Sequence, residues 1–238
     1  MLPILLWYYQ YRYNRQIDVK RITLIFENDE CIVLDKPAGL AVQGGEGVGA
    51  SLDRLLAEEW NPRPLLVHRL DKDTSGLILV AKTQKAAAKF SSLLAGGKQF
   101  SSGGMGRGLV KQYLAVCSGR PQAESGIITL DLDIRGSIKK SETAYHLKSQ
   151  KDDFSLLELE LGTGRMHQIR RHLAQIGNPV LGDDKYGDFA LNRELRKKTG
   201  LRRLLLHSAR LYISEALADF PGGIDVSAPL PEYFSAFV

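Results

Sequence analysis

The chain opens on an apolar run, "MLPILLWYY", and turns polar at once with "QYRYNRQ". The run is far shorter than the roughly 20 residues of a membrane span, and no basic segment precedes it as in a secretory signal. Residues 1–20 are therefore read as an appended segment, a linker or a truncated remnant, and residues 21–238 as one domain. "ITLIFENDECIVLDKP" holds two apolar runs around the polar "ENDE", the pattern of a β-hairpin that stops at Pro37. After the flexible "GGEGVGAS", Leu52, Leu55 and Leu56 fall on one face of a short helix that Ser51 is placed to cap. "LILVAKT" has the unbroken apolarity of a buried strand. A helix is predicted from Thr83, with Ala86, Phe90 and Leu93 or Leu94 facing inward.

Residues 96–108 hold six glycines, too many for a packed element, so a loop is predicted there. "KQYLAVCSG", "GIITLDLDI", "SETAYHLKS" and "FSLLELELG" then read as four strands, several with period-two alternation. "GRMHQIRRHLAQIG" reads as a helix with an apolar stripe of Met166, Ile169, Leu173 and Ile176, ending at Gly177. "LLLHSARLYI" is a late strand. Strands outnumber helices and mostly follow one another directly. The fold expected is α+β, with a mixed, largely antiparallel central sheet flanked by helices.

Composition changes this picture little. The 238 residues are 44% hydrophobic and 25% charged, an ordinary globular balance. A net charge of +5 favours a polyanionic partner, nucleic acid being the commonest. Cys31 and Cys117 lie inside apolar runs and read as reduced core residues of a cytoplasmic protein.

Several familiar chemistries fail on spacing. "GGEGVGAS" has neither the dinucleotide fingerprint nor the lysine of a phosphate loop. His167 and His172 are five residues apart, where a zinc helix wants four with a glutamate between. Asp183 and Asp184 in "GDDKYGD" are close enough to suggest Mg²⁺, but a turn explains them better. Two segments remain unusual, "HRLDKDTSG" and "GTGRMHQIRRH". The first sets Asp71 on a loop beside Arg69, and the second gathers Arg165, Arg170 and Arg171 at a helix start. An arginine beside a carboxylate favours its ionised form, and an ionised, oriented carboxylate can act as nucleophile or base. The competing explanation is an ordinary ion pair beside a turn, with Asp73, Thr74, Ser75 and Gly76 as turn formers.

"HRLDKDTSGLILVAKT" resembles the H-R-L-D-x-x-T-S-G signature of RluA-type pseudouridine synthases. "GTGRMHQIRRHLAQIGNPVLGDDKYG" resembles that family's G-R-x-H-Q-I-R motif and the G-x-P-x-x-G-D-x-x-Y-G that follows it. "KQYLAV", "IVLDKPAGLAV" and "LLLHSARL" match three further motifs, all in order, over residues 22 to about 230. The resemblance implies the family's catalytic fold and an isomerisation of uridine in RNA. The N1–C1′ bond breaks, the uracil turns, and C5 joins C1′. No cofactor or metal is implied. It makes Asp71 the catalytic residue, by attack on C1′, addition to C6 or removal of the 2′ proton. It makes Tyr113 the active-site tyrosine, stacking on uracil and a candidate for proton removal at C5, and pairs Arg165 with Asp71.

A uridine must leave its stack to reach such a site. Arg69 and His68 are placed to fill the gap or hold the flipped nucleotide's phosphates, and Lys36, Lys140, His167 and Arg170 are further expected RNA contacts. "NRELRKKTGLRR" carries six Arg or Lys against one Glu, which makes Arg196, Lys197 and Lys198 a candidate phosphate strip. The loops 96–108 and "GSIKKS" at 136–141 are candidates for closing over RNA.

The expected partner is structured RNA, met by a monomer without a membrane. Large-subunit ribosomal members often carry an S4-type domain first, and here only about 20 residues precede the first strand, so none is expected in this chain. Ribosomal RNA is the favoured target, on "VQGGEG" and "YGDFALNRELRKK"; a tRNA substrate is the alternative. A non-catalytic RNA-binding protein is a second alternative, disfavoured by intact Asp71, Tyr113 and Arg165. A hydrolytic glycosidase would need an acid opposite Asp71, and no motif supplies one.

Overall fold

The computed structural model describes residues 16–17, 22–45, 49–95, 108–134 and 137–238, with 16–17, 131–134 and 137–139 described as backbone. The loop predicted over 96–108 lies outside the described residues except for Gly108, as does nearly all of the segment 1–20.

Eleven strands share one sheet among the described residues: β1 (Gln16–Ile17), β2 (Ile22–Glu27), β3 (Cys31–Lys36), β4 (Leu65–Leu66), β5 (Ser75–Ala81), β6 (Leu109–Ser118), β7 (Ser125–Ile134), β8 (Ser137–Lys151), β9 (Phe154–Leu161), β10 (Leu206–Ile213) and β11 (Ile224–Ser227). Their order is β1-β2-β3-β5-β10-β6-β9-β8-β7, with β4 beside β5 and β11 beside β10. Only the β5–β10 pair is parallel among them, so the expected mixed, largely antiparallel sheet is observed. Helices α1 (Leu52–Glu59), α2 (Gln84–Ala95), α3 (Gln168–Gln175), α4 (Phe189–Thr199) and α5 (Glu215–Ala218) flank it. No described helix is long and apolar enough to cross a membrane.

Alternation sorts the core onto two faces. Along β3 and β5, Ile32, Leu34, Ile78 and Val80 face α1 and α3 through Leu52, Leu55, Leu56, Ile169 and Leu173. Their neighbours Cys31, Val33, Leu77 and Leu79 face α2 through Ala86 and Phe90. This two-sided burial explains why β5 reads as an unbroken apolar run: all seven of its residues are buried. A third cluster joins Val116 to Leu181, Leu195 of α4, Phe234 and Phe237. The strand β9 keeps one face covered and alternates residue by residue. Both cysteines are free and buried.

Three local expectations change. Met166 is 62% exposed and precedes α3, so it does not join the stripe of Ile169 and Leu173. Ser51 precedes α1 without capping it; its hydroxyl donates to Asp53 at 2.5 Å. "GSIKKS" is not a loop: Ser137 to Ser141 begin β8, paired with β7 from Ser137↔Ile134 to Ser141↔Leu130.

The centre of the sheet fixes the site. Ser208 on β10 lies opposite Gly76 of β5 on one side and Tyr113 of β6 on the other. Gly76 has φ +105°, and a Cβ there would come within 2.2 Å of the Ser208 carbonyl oxygen. Only glycine allows this approach, which brings the loop before β5 next to Tyr113.

Candidate active site

Residues 67–74, between β4 and β5, form that loop. Its backbone is held from below. The Lys72 carbonyl accepts from Lys36 Nζ at 3.0 Å and from the Gly39 amide at 2.9 Å. The Thr74 amide donates to the Asp71 carbonyl at 3.2 Å. The Asp71 side chain, 25% exposed, faces a cleft of about 1020 Å³. Tyr113, Lys111, Arg69, Arg165, Met166, His167 and Arg170 line the same cleft.

Two groups approach the carboxylate. Arg170 Nη1 lies 3.6 Å from Oδ2, and His167 Nε2 lies 3.8 Å from Oδ1. Both distances exceed hydrogen-bond range, so Asp71 has charge beside it while its oxygens remain open to the cleft. The guanidinium is fixed on its other side. Asp183, fully buried, accepts from Arg170 Nε at 2.7 Å and Nη2 at 2.6 Å, and Asp184 accepts from Nη2 at 3.2 Å. Asp183 Oδ1 also accepts the amides of Lys185 and Tyr186, each at 2.9 Å. Burial opposes ionisation of Asp183, but the bond from Arg170 and the two amides outweigh it and hold the carboxyl below its usual range. The Tyr186 ring lies 5.3 Å from the Arg170 guanidinium, and its hydroxyl meets His167 Nδ1 at 3.1 Å.

His167 has φ +52°, a left-handed conformation uncommon outside glycine. Burial lowers its pKa; the charge of Asp71 works against that, and those of Arg170 and Lys185 work with it. Gln168 locks the turn before α3. Its Oε1 accepts from Thr163 Oγ1 at 2.6 Å and the Arg165 amide at 3.1 Å, and its Nε2 donates to the Glu142 carbonyl at 2.9 Å and Thr143 Oγ1 at 3.1 Å. Tyr113 is 7% exposed, and burial pushes its phenol up to about 12; a bond with Ser208 eases the shift and the Asp71 charge adds to it. Tyr113 therefore stays a neutral hydroxyl across the physiological range.

Asp71, Tyr113, Arg165, His167, Arg170 and Arg69 thus meet in one cleft, although 99 positions separate Asp71 from Arg170. Three assignments shift. The arginine paired with Asp71 is Arg170, because the helix start turns its guanidinium toward the loop; Arg165 makes no ion pair with Asp71. Lys36 is fully buried and spends its ammonium on the carbonyls of Pro37, Leu40 and Lys72, so it anchors the loop and cannot reach RNA. His68 uses Nε2 to accept the Leu79 amide at 2.9 Å, and burial, reinforced by Lys111, pushes it down to about 3. It is a neutral wall of the cleft, with no positive charge for a phosphate.

Lys140 is exposed on β8, and none of Arg196, Lys197 and Lys198 lines the cleft. Asp183 was read from the sequence only as a metal or turn candidate, and Tyr186 and Gln168 were not singled out. An acid following the apolar "NPVL" was the one available signal, and a turn explained it as well. Among the described residues no cluster of three or more His, Cys, Asp or Glu is placed to hold a metal.

Known proteins resemble this chain in sequence and fold. Residues 30–175 match the family model described as RNA pseudouridylate synthase. The chain is 35% identical over 227 residues to the ribosomal large subunit pseudouridine synthase C of Rickettsia typhi, covering 89% of this chain and 69% of that one. It is 36% identical over 205 residues to the protein of the same name from Escherichia coli K12, covering 79% and 60% of the two chains. Human RNA pseudouridylate synthase domain containing 4 superposes with a TM-score of 0.68 at 25% identity, over 89% of this chain and 90% of that one. On the sequence match and the shared fold, the chain belongs to the RNA pseudouridylate synthases and is an enzyme of that kind.

Proposed function

We propose that the enzyme converts uridines of large-subunit ribosomal RNA to pseudouridine, with Asp71 as the catalytic residue. The observation that carries this reading is the state of Asp71: a carboxylate facing the cleft, next to Arg170 and His167 but hydrogen-bonded to neither. It is oriented and free to react. The ribosomal target is supported by the relatives named for the large subunit.

The isomerisation breaks N1–C1′ and forms C5–C1′; a proton leaves C5 and one arrives at N1. Among the described carboxylates that line the cleft, Asp71 is the one flanked by both Arg170 and His167 without a hydrogen bond to either, so the step at the sugar or base is assigned to it. Arg170 supplies a fixed positive charge beside the reacting anion, and the bidentate Asp183 holds that charge in place. Tyr113, neutral and packed, offers a ring for the uracil and a hydroxyl near it. Arg69, exposed on the loop two residues before Asp71, is placed to meet the displaced strand.

The test is Asp71→Asn. It should abolish tritium release from 5-tritiated uridine in ribosomal RNA while leaving RNA affinity within about threefold. Activity within tenfold of wild type would overturn the assignment of Asp71. Chemical mapping of pseudouridine in total RNA, with and without the enzyme, tests the target: signal in tRNA alone would replace the ribosomal reading.

A further inference from the structure

Arg165 is unlike the other arginine of its motif. Arg170 has carboxylates on three sides, whereas the Nε of Arg165 is shut off from water with no hydrogen-bond partner among the described residues. Leaving such a donor unmet is costly, and more so when the group is charged. No ion pair is formed by its guanidinium among the described residues. The four bonds of Gln168 fix the backbone of the turn that carries it. The group is held, charged and unsatisfied in the wall of the cleft.

A second cation faces the same cleft. Lys111 lines the same wall, its Nζ donating to the Leu94 carbonyl at the end of α2 at 3.0 Å. The residue before Arg165 is Gly164, and among the described residues the atom within 4 Å of a Cβ built there is Lys111 Nζ, at 3.9 Å. A side chain at position 164 would come against the Lys111 ammonium.

We propose that Arg165 and Lys111 form an anion subsite that takes a phosphodiester oxygen of the RNA strand carrying the target uridine. The inference rests on the proposed function only for the identity of the RNA. A guanidinium edge suits a phosphate's paired oxygens, and an anchored ammonium adds a second contact. Bound phosphate would satisfy Nε and set the strand's backbone at a fixed place relative to Asp71. Arg165 is then a binding residue, whereas Arg170 acts on Asp71.

The experiment is a cycle between protein and RNA. A hairpin containing the mapped uridine is made with an uncharged methylphosphonate at each phosphate flanking that uridine in turn. Affinity is measured for wild type, Arg165→Met and Lys111→Met. Methionine keeps an unbranched stem of similar reach, so a change reports the lost charge. At one position the neutral link should weaken wild type about tenfold and weaken Arg165→Met less than twofold. The salt slope of Arg165→Met should be flatter by about 0.7–0.9. KM should rise about tenfold, while the single-turnover rate at saturating RNA falls less than threefold with its pH profile unmoved. Losses that multiply at every position, or an unchanged salt slope, would overturn the subsite. So would a shifted pH profile with a large fall in single-turnover rate, which would return Arg165 to Asp71. If inorganic phosphate alone saturates the site and no methylphosphonate matters, the ligand is a free anion and the proposal fails. An RNA that wild type binds but never converts would defeat the proposed function, and the binding cycle would still read the subsite.

Discussion

Lys36 gives a prediction in which activity and stability move in opposite directions. Its ammonium is fully buried and makes three bonds, to Pro37 O at 3.0 Å, Leu40 O at 2.9 Å and Lys72 O at 3.0 Å. Burial lowers its pKa from 10.5 to about 8, against the opposing pull of Asp73, Asp71 and Asp35. Between about pH 8 and 10.5 the unfolded chain holds a proton that the folded chain has released. Stability to unfolding should therefore rise with pH in that window, by about 1.4 kcal/mol per unit and about 3 kcal/mol in all. A neutral amine, however, has two hydrogens for three carbonyls. One bond is lost, and the backbone of Lys72, next to Asp71, loses part of its support.

Displacement of a reacting group by about 1 Å can cost about a hundredfold in rate. The single-turnover rate at saturating RNA should thus fall above about pH 8, while the urea midpoint climbs. Lys36→Met removes all three bonds and also the cost of burying a charge. Its net destabilisation should be about 1–3 kcal/mol, or about 2–12 °C in Tm for a chain of this size. Its rate should be low and should lack the step near pH 8. Uridine's own N3–H titrates at alkaline pH, so whatever decline survives in Lys36→Met belongs to the RNA. A wild-type rate that stays flat from pH 7 to 10, or a variant that keeps the same step, would refute the reasoning.

Asp183→Asn should act at a distance. Removing the charge that holds Arg170 from a fully buried site should cost about 3–5 kcal/mol and, by freeing the guanidinium, at least tenfold in rate, although Asp183 does not line the cleft; a rate matching wild type in a folded variant would show that Arg170 needs no anchor. His172 and His207, pushed down to about 4 by burial, and His68, pushed down to about 3, are neutral in the fold. Their contribution is complete above pH 6.5 and is lost as pH falls toward those values, at about 1.4 kcal/mol per unit for each. Calorimetry at pH 5 should find about two protons taken up on unfolding, the three of these histidines less the one that Asp35, pushed up to about 6 by burial, releases; no net uptake would contradict this burial. Changing Arg196, Lys197 and Lys198 together to alanine should flatten the salt slope of RNA affinity by about two units, the lower end for three charges because Lys198 already meets Glu194 at 2.5 Å; an unchanged slope would remove α4 from the RNA surface.

Alternation along the chain was enough to find β6 and β9, and the apolar run of β5 announced a strand buried on both faces. Those patterns are local, so they are legible without the fold. The meeting of Asp71, Tyr113 and Arg170 was legible only as motifs standing in a family's order, since no spacing rule connects positions so far apart. Charge misled where geometry decides. Lys36 and His68 carry the residue types of an RNA contact, yet one turns its donors onto three carbonyls and the other its lone pair onto a backbone amide. Charged groups are seldom fully buried, and nothing in "DKPAG" marks the exception. Arg165 and Arg170 share one motif, and the turn at His167 determines which of them faces Asp71. Met166 fitted a helical period, but the helix begins two residues later.

The strand β10 lies in the middle of the sheet but comes late in the chain. Ser208 leaves the ribosome 208 − 71 = 137 residues after Asp71. At about 5–20 residues per second that is a delay of about 7–27 s. Until then the strands from β2 to β5 and those from β6 to β9 are two separate half-sheets, each with an unpaired central edge open to wrong partners. The arrival of β10 covers both edges in one event and brings Asp71 beside Tyr113. A nascent chain on a ribosome, surrounded by RNA, therefore carries Asp71 and Tyr113 on unjoined halves, and its cleft is complete only once β10 has emerged.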